Sequence, residues 1–284
     1  MEPETRIATV TVGAARISPD ALSLIAGPCV LEDVGMALEV AREVKRIAAD
    51  LGMPYVFKAS YAKANRTSAS SYRGPGAPEG LRLLARIRAE AGVPVTSDVH
   101  ETTEIPEAAQ VLDLLQIPAF LCRQTALIEA AGAAGKPVHI KKGQFMDPRA
   151  MLRAAEKARE AGAPGVILTE RGTTFGYGDL VVDFRSIPLL RRSGVPVFFD
   201  ATHSVQRPGG AETGGERGFV PTLARAAVAA LADGIFIETH PDPPRARSDR
   251  ESQWPLADLR ALLESLLKVR AAVADLVFVT GGTS

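Results

Sequence analysis

Two cysteines among 284 residues are too few for a disulfide framework, which fits a reducing compartment. No apolar run approaches the roughly 20 residues of a membrane-spanning helix. The opening residues MEPETRIATV are acidic at the start and lack the apolar core of a secretion signal, so a cytoplasmic protein is expected. Excess charge is lacking too, because 33 Lys and Arg are balanced by 33 Asp and Glu. That balance excludes binding to nucleic acid or an anionic membrane by bulk electrostatics. Any anion must therefore be recognised by a local pocket. Glycine-rich pieces such as RPGGAETGGE match neither a P-loop nor a dinucleotide fingerprint, which leaves nucleotide binding unsupported.

What is present is a repeat. Gly-x-Pro recurs as Gly52-Met53-Pro54, Gly92-Val93-Pro94, Gly135-Lys136-Pro137, Gly162-Ala163-Pro164 and Gly194-Val195-Pro196. Most copies follow an Ala/Arg/Glu-rich stretch with helical spacing, and each precedes a short β-prone run such as YVFKAS, VHIKK or VFFDAT. Glycine supplies the left-handed residue that ends a helix, and proline prevents its continuation. The short apolar runs suit strands buried on both faces of a parallel sheet. With LSLIAG, VLDLLQIP and DGIFIETH about eight strands result, each followed by a helix. This predicts a single α/β domain over residues 1–284 folded as a TIM (β/α)8 barrel, with a doubly wound open sheet as the alternative. The segment RIATVTVGAARI alternates apolar and polar residues and is expected to form a short N-terminal β-hairpin closing the bottom of the barrel.

Polar residues collect just past the apolar part of each run: Cys29, Lys58, Asp98 with His100, Gln116, Lys141, Arg171, His203 and Glu238. In this register they lie at the C-terminal strand ends, where barrel active sites are built. The segment from Phe57 to Gly76 carries Lys58, Lys63, Arg66 and Arg73 without an acidic residue, a composition suited to carboxylate or phosphate or to a solvated loop. Lys141, Lys142, Arg123 and Arg171 add cations at other strand ends, enough for more than one anionic group in a single pocket. Closure of the barrel would bring the last strand beside the first, and Cys29 beside Glu238. With His203 and Asp249 these residues offer sulfur, nitrogen and oxygen ligands suited to Zn²⁺ or Fe²⁺. Spacing alone leaves two other readings open, an inert buried thiol and a satisfied core histidine. Cys122 lacks a matching ligand set and reads as structural.

The segments IAGPCVLE, YVFKASYAKANRTSASSYRGPG, TSDVHE, LLQIPAFLCRQT, IKKGQF, LTERGTTFGYGDLVVDFRSIP, FDATHSVQRPGG and IETHPDP together resemble the 3-deoxy-D-manno-octulosonate 8-phosphate (KDO-8-phosphate) synthases. The likeness runs from about Ile25 to the final helix. The nearest related family makes the seven-carbon sugar acid that opens the shikimate pathway from erythrose 4-phosphate. It typically has Lys-Pro-Arg where this chain has Lys63-Ala64-Asn65-Arg66. The resemblance implies a transferase that condenses phosphoenolpyruvate with D-arabinose 5-phosphate and water in lipopolysaccharide precursor biosynthesis. It also implies a homotetrameric TIM barrel.

Lys58 and Lys63 match residues at the phosphoenolpyruvate carboxylate, and Lys141, Arg171 and the backbone of Ala119 match those at its phosphate. Asn65 and Arg66 match residues that bind the sugar phosphate, joined by Arg123 from a neighbouring subunit. Ser60, Thr67, Asp98, Gln116 and Gln144 match further substrate contacts, and Lys63, His203 and Asp249 fall at catalytic positions. The family divides at Cys29, where a metal-independent branch carries Asn. Cys here implies the metal-dependent branch, with Cys29, His203, Glu238 and Asp249 holding a divalent ion such as Zn²⁺, Fe²⁺ or Mn²⁺. One departure is local: the family commonly follows this Asp with Gly and Pro, whereas this chain continues Arg250-Glu251-Ser252. How that loop folds decides the place of Asp249.

Overall fold

The computed structural model describes residues 6–64, 71–208 and 214–274. Eight parallel strands form the core: β1 (Ser23–Gly27), β2 (Tyr55–Lys58), β3 (Val95–Asp98), β4 (Leu114–Ile117), β5 (Val138–Lys141), β6 (Val166–Glu170), β7 (Val197–Asp200) and β8 (Gly234–His240). Each pairs with its sequence neighbours, and β8 pairs with both β7 and β1, which closes the ring. Closure overturns the open-sheet alternative and establishes the (β/α)8 barrel. Around it run α1 (Val34–Asp50), α2 (Ala77–Ala91), α3 (Ile105–Val111), α4 (Thr125–Ala133), α5 (Pro148–Glu160), α6 (Ser186–Arg191), α7 (Val220–Ala229) and α8 (Leu259–Ala272).

The helices form for local reasons. In α1 the Asp33 carboxylate caps the first turn by accepting from the Met36 N–H at 2.8 Å. Ala37, Val40, Ala41, Val44, Ile47 and Ala48 then recur at helical spacing and are buried, the stripe that faces a core. The five glycines of the Gly-x-Pro repeat all take positive φ, from 62° at Gly92 to 105° at Gly162. That is the left-handed turn expected where a helix hands over to a strand.

Strand periodicity separates two cores. Ile25, Val56, Leu114, Ile167, Phe198 and Phe236 cluster inside the barrel. Their chain neighbours Leu24, Phe57, Leu115, Leu168, Phe199 and Ile237 pack outward with the helices, as a side-chain period of two requires. The inner cluster also contains Val10, Val12, Ala15 and Ile17 from an antiparallel hairpin of Val10–Val12 and Ala15–Ile17. A methyl at Gly165, ahead of β6, would meet the Val10 side chain at 2.7 Å. One at Gly13 would meet Pro94, ahead of β3, at 2.9 Å. Both contacts lie at strand N-termini, so the hairpin plugs the bottom as expected and leaves the other end of the lumen for the polar residues.

Candidate active site

Two positions beyond five of these six inner apolar residues the same face of the strand turns polar; on β1 the corresponding position is Gly27. Lys58 follows Val56, Gln116 follows Leu114, Thr169 follows Ile167, Asp200 follows Phe198 and Glu238 follows Phe236, and all five are buried. Asp98 and Lys141 complete this ring on β3 and β5. The floor beneath is aromatic, with the Lys141 ammonium 3.6 Å from the Phe236 ring centroid, a favourable cation–π distance.

Cys29 reaches the ring through a tight junction. A methyl on Gly27 would sit 2.1 Å from the Lys58 carbonyl oxygen, so only glycine lets the end of β1 approach β2 this closely. Past it, Lys58 Nζ donates to the Cys29 carbonyl at 3.0 Å and to Glu238 Oε1 at 2.5 Å. Lys63 Nζ lies 3.8 Å from the same oxygen. Burial opposes the charge of Glu238, but Lys58, His203 and Lys63 hold its carboxyl well below the usual range. Burial likewise opposes the Lys63 ammonium, and the acidic groups around it win, raising its pKa. Asp98 accepts from Ser60 Oγ at 2.8 Å and from the Gln116 amide. Against the cost of burial, Lys58 and Lys63 keep it ionised.

On the opposite side Lys141 is ion-paired with Asp200, and Asp200 Oδ2 lies 2.7 Å from His203 Nδ1. The carboxylate can only accept, so Nδ1 carries the proton. That turns Nε2 toward Glu238 Oε1 at 3.5 Å and Asp249 Oδ2 at 3.9 Å. Arg171 is buried and gives one guanidinium nitrogen to Gln206 Oε1 at 2.8 Å. Its Nη1 is buried without a partner, a costly donor to leave unused.

Cys29, Glu238 and Asp249 each place a ligand atom within 4.8 Å of the others. Cys29 Sγ and Asp249 Oδ2 are 3.0 Å apart. Glu238 Oε2 is buried without a hydrogen-bond partner while Oε1 serves Lys58. A soft sulfur, an orphaned carboxylate oxygen and a nearby imidazole are a donor set that fits a first-row divalent ion. Asp249 enters with φ of +45°, whereas Arg250 is not among the positive-φ residues. The left-handed residue of this loop is the Asp itself, so replacing the family's following Gly by Arg250 asks no unfavourable backbone of that position.

Other expected site residues are placed less centrally. Gln144 is buried and its carbonyl accepts from Thr174 N–H at 2.9 Å. Ala119 opens the short turn Ala119–Leu121 after β4 and is half-buried. Arg123 is exposed. Lys142 is spent outside the pocket, donating to Gly172 O and Thr173 Oγ1 at 3.0 Å. His240 accepts from the Asp242 N–H at 2.9 Å and caps its own loop. Asn65, Arg66 and Thr67 lie outside the described residues.

Sequence reasoning missed Asp200, His139 and Gln253. FFDATH ends its apolar run on Asp200, but a carboxylate at a strand end is ordinary polarity beside a histidine three residues later. Buried His139 on β5 and Gln253 after β8 carry no local signal.

Residues 9–274 match the family described as the DAHP synthetase I family. This chain belongs to that family. Relatives named 2-dehydro-3-deoxyphosphooctonate aldolase include that of Acidithiobacillus ferrooxidans, 52% identical over 89% of this chain and 90% of its own. The protein of that name from Aromatoleum aromaticum is 54% identical, covering 88% of this chain and 91% of its own. That from Syntrophotalea carbinolica is 50% identical, covering 95% and 98% respectively. The family thus extends over the whole barrel and both sides of the polar ring.

Proposed function

We propose that this chain condenses phosphoenolpyruvate with D-arabinose 5-phosphate and water, giving 3-deoxy-D-manno-octulosonate 8-phosphate and phosphate. The observation that carries the reading is the buried cationic lining, Lys58, Lys63, Lys141 and Arg171, with one Arg171 nitrogen unpartnered, in a chain whose relatives bear the eight-carbon name. Those names weigh against the seven-carbon reaction with erythrose 4-phosphate, although the family title is broader.

The chemistry follows from the charges. Arg171 Nη1 and Lys141 supply donors to the phosphate of phosphoenolpyruvate, and Lys63 and Lys58 attract its carboxylate. Anchoring both ends presents the enol carbon to the sugar aldehyde. That carbon attacks the aldehyde carbon while water adds at the phosphate-bearing carbon. The resulting hemiketal phosphate collapses, and phosphate leaves against Lys141 and Arg171. Asp98 and Glu238 lend negative surroundings to the positive charge that develops beside the enol carbon.

Cys29, His203, Glu238 and Asp249 would hold a divalent ion (zinc, iron(II) or manganese). When bound it supplies Lewis acidity for orienting or activating water or aldehyde. Asp200 fixes the His203 ring for this role. Asn65, Arg66 and Thr67 are assigned to the sugar phosphate. Exposed Arg123 is assigned to a neighbouring subunit's site in a homotetramer, an assembly also suited to the exposed Phe120, Phe145, Phe175 and Phe219. Among the described residues no helix is long and apolar enough to cross a membrane, and we place the enzyme in the cytoplasm.

The test is phosphate release with arabinose 5-phosphate against erythrose 4-phosphate. A higher kcat/KM for the eight-carbon reaction is expected, and preference for erythrose 4-phosphate would overturn the assignment.

A further inference from the structure

The loop that delivers Asp249 contains little regular structure, and the Asp takes a φ of +45°, a left-handed conformation that Asp tolerates better than most L-residues. Its position is fixed by the side chains around it. Gln253 is fully buried and both ends of its amide are committed. Its Oε1 accepts from the Cys29 N–H at 3.1 Å, and its Nε2 donates to the Ser248 carbonyl at 2.8 Å. Its backbone N–H donates to the Asp249 carbonyl at 3.0 Å. Ser248 is buried as well, and its hydroxyl lies 2.9 Å from Cys29 Sγ. One amide therefore bridges the loop after β1 to the loop after β8. One hydroxyl touches the sulfur whose neighbour is the carboxylate of Asp249.

We propose that Gln253 and Ser248 are positioning residues for the metal centre. Gln253 sets the separation of Cys29 and Asp249 by clamping their two loops, and Ser248 orients the sulfur by hydrogen bonding to it. A serine hydroxyl can accept from a thiol or donate to a thiolate, so the contact can persist when the sulfur becomes a ligand. A side-chain amide suits the clamp because it accepts on one atom and donates on the other, and the two loops present one N–H and one C=O. This inference rests on the metal reading above, and its test separates the two.

The full-length protein is stripped with a chelator and titrated with Co²⁺, which reports affinity and, through the thiolate-to-cobalt charge-transfer band, the sulfur's geometry. The parent is expected to bind one equivalent with a band that Cys29→Ser removes; no such band in the parent would overturn the metal reading itself and the clamp with it. Given the band, Gln253→Leu is expected to weaken Co²⁺ binding about 10- to 100-fold, the usual cost of losing an outer-shell partner. Ser248→Ala is expected to shift the band and Ser248→Thr to restore it, a rescue that a general packing role would not produce. Binding by Gln253→Leu within about twofold of the parent, with an unchanged band, overturns the clamp while leaving the metal centre intact. Should that variant not fold, Ser248→Ala decides: an unmoved band and affinity overturn the proposal.

Discussion

His139 gives the most constrained test of the barrel interior. It lies on β5 one layer below Lys141, fully buried, with its ring near those of Phe198 and Phe236. Its Nε2 is 2.5 Å from Thr169 Oγ1 and its Nδ1 has no partner. Burial, aided by the Lys141 charge, pushes its pKa from 6.5 down to about 3. The unfolded chain therefore takes up a proton as pH falls through about 6.5 and the folded chain does not, so stability present at neutral pH is lost on acidification. Between pH 7 and pH 5 the loss from this one residue is about 2 kcal/mol. That figure barely depends on the depth of the shift, provided the folded pKa stays below about 4. His139→Gln removes the titration. The difference in stability between pH 7 and pH 5 should then be about 2 kcal/mol smaller in the variant, measured by equilibrium urea unfolding. With four histidines in the chain, ring NMR gives an independent readout, in which one imidazole stays neutral at pH 5. A His139 resonance titrating near 6.5, or equal pH dependence in parent and variant, would refute the reasoning.

The site carries four further expectations. Gly27→Ala must displace the Lys58 carbonyl that its methyl would strike, so a stability loss of about 3 kcal/mol should appear in thermal unfolding; a loss under about 0.5 kcal/mol contradicts the close approach. Arg171→Met removes the buried unpaired donor. It should raise KM for phosphoenolpyruvate by about 30- to 100-fold, as expected for a charge-assisted hydrogen bond worth roughly 2–3 kcal/mol, with steady-state kinetics as the check and an unchanged KM against it. Dialysis against a strong chelator should abolish turnover, and Cys29→Asn should lessen that dependence; full activity without metal, or unaltered chelator sensitivity in the variant, counts against Cys29 as a ligand.

The barrel was legible because its signals are local. A Gly-x-Pro after a helix and an apolar run of a few residues each fix one junction, and repetition made the count of strands. The polar ring was legible for a related reason: once a strand's inner face is known, a period of two puts Lys58, Asp98, Lys141 and Glu238 on one level. Partnerships within the ring were not. Nothing in the order of residues says that Lys58 faces Glu238, 180 positions away, or that Gln253 reaches back to Cys29. Those pairs exist only through closure of β8 on β1, and their side-chain choice depends on the neighbour across the seam. The same dependence explains Asp200. Read as a strand end it is ordinary polarity, and it becomes informative only with Lys141 on one side and His203 on the other.

The ring also shows how buried charges can be stable and still available. An unpaired buried ion costs several kcal/mol, and here cations and anions neutralise one another before any ligand arrives: Lys58 with Glu238, Lys141 with Asp200. If every donor and acceptor were consumed this way, substrate would have to break ion pairs to bind. The unpartnered atoms avoid that conflict. Glu238 uses Oε1 for Lys58 and keeps Oε2 free, so a cation can be taken up without surrendering the lysine. Arg171 uses one nitrogen for Gln206 and leaves Nη1 unpaired, so an anion can be taken up without releasing the guanidinium from its mooring. The two orphaned atoms are of opposite character, an acceptor beside Cys29 and Asp249 and a donor on β6's loop side of the ring. A divalent ion would satisfy the Glu238 oxygen and an anionic group the Arg171 nitrogen, so a molecule carrying that anionic group would occupy the same pocket as the ion. That shared pocket predicts that phosphoenolpyruvate and the divalent ion bind more tightly together than apart, and independent dissociation constants in paired calorimetric titrations would refute it.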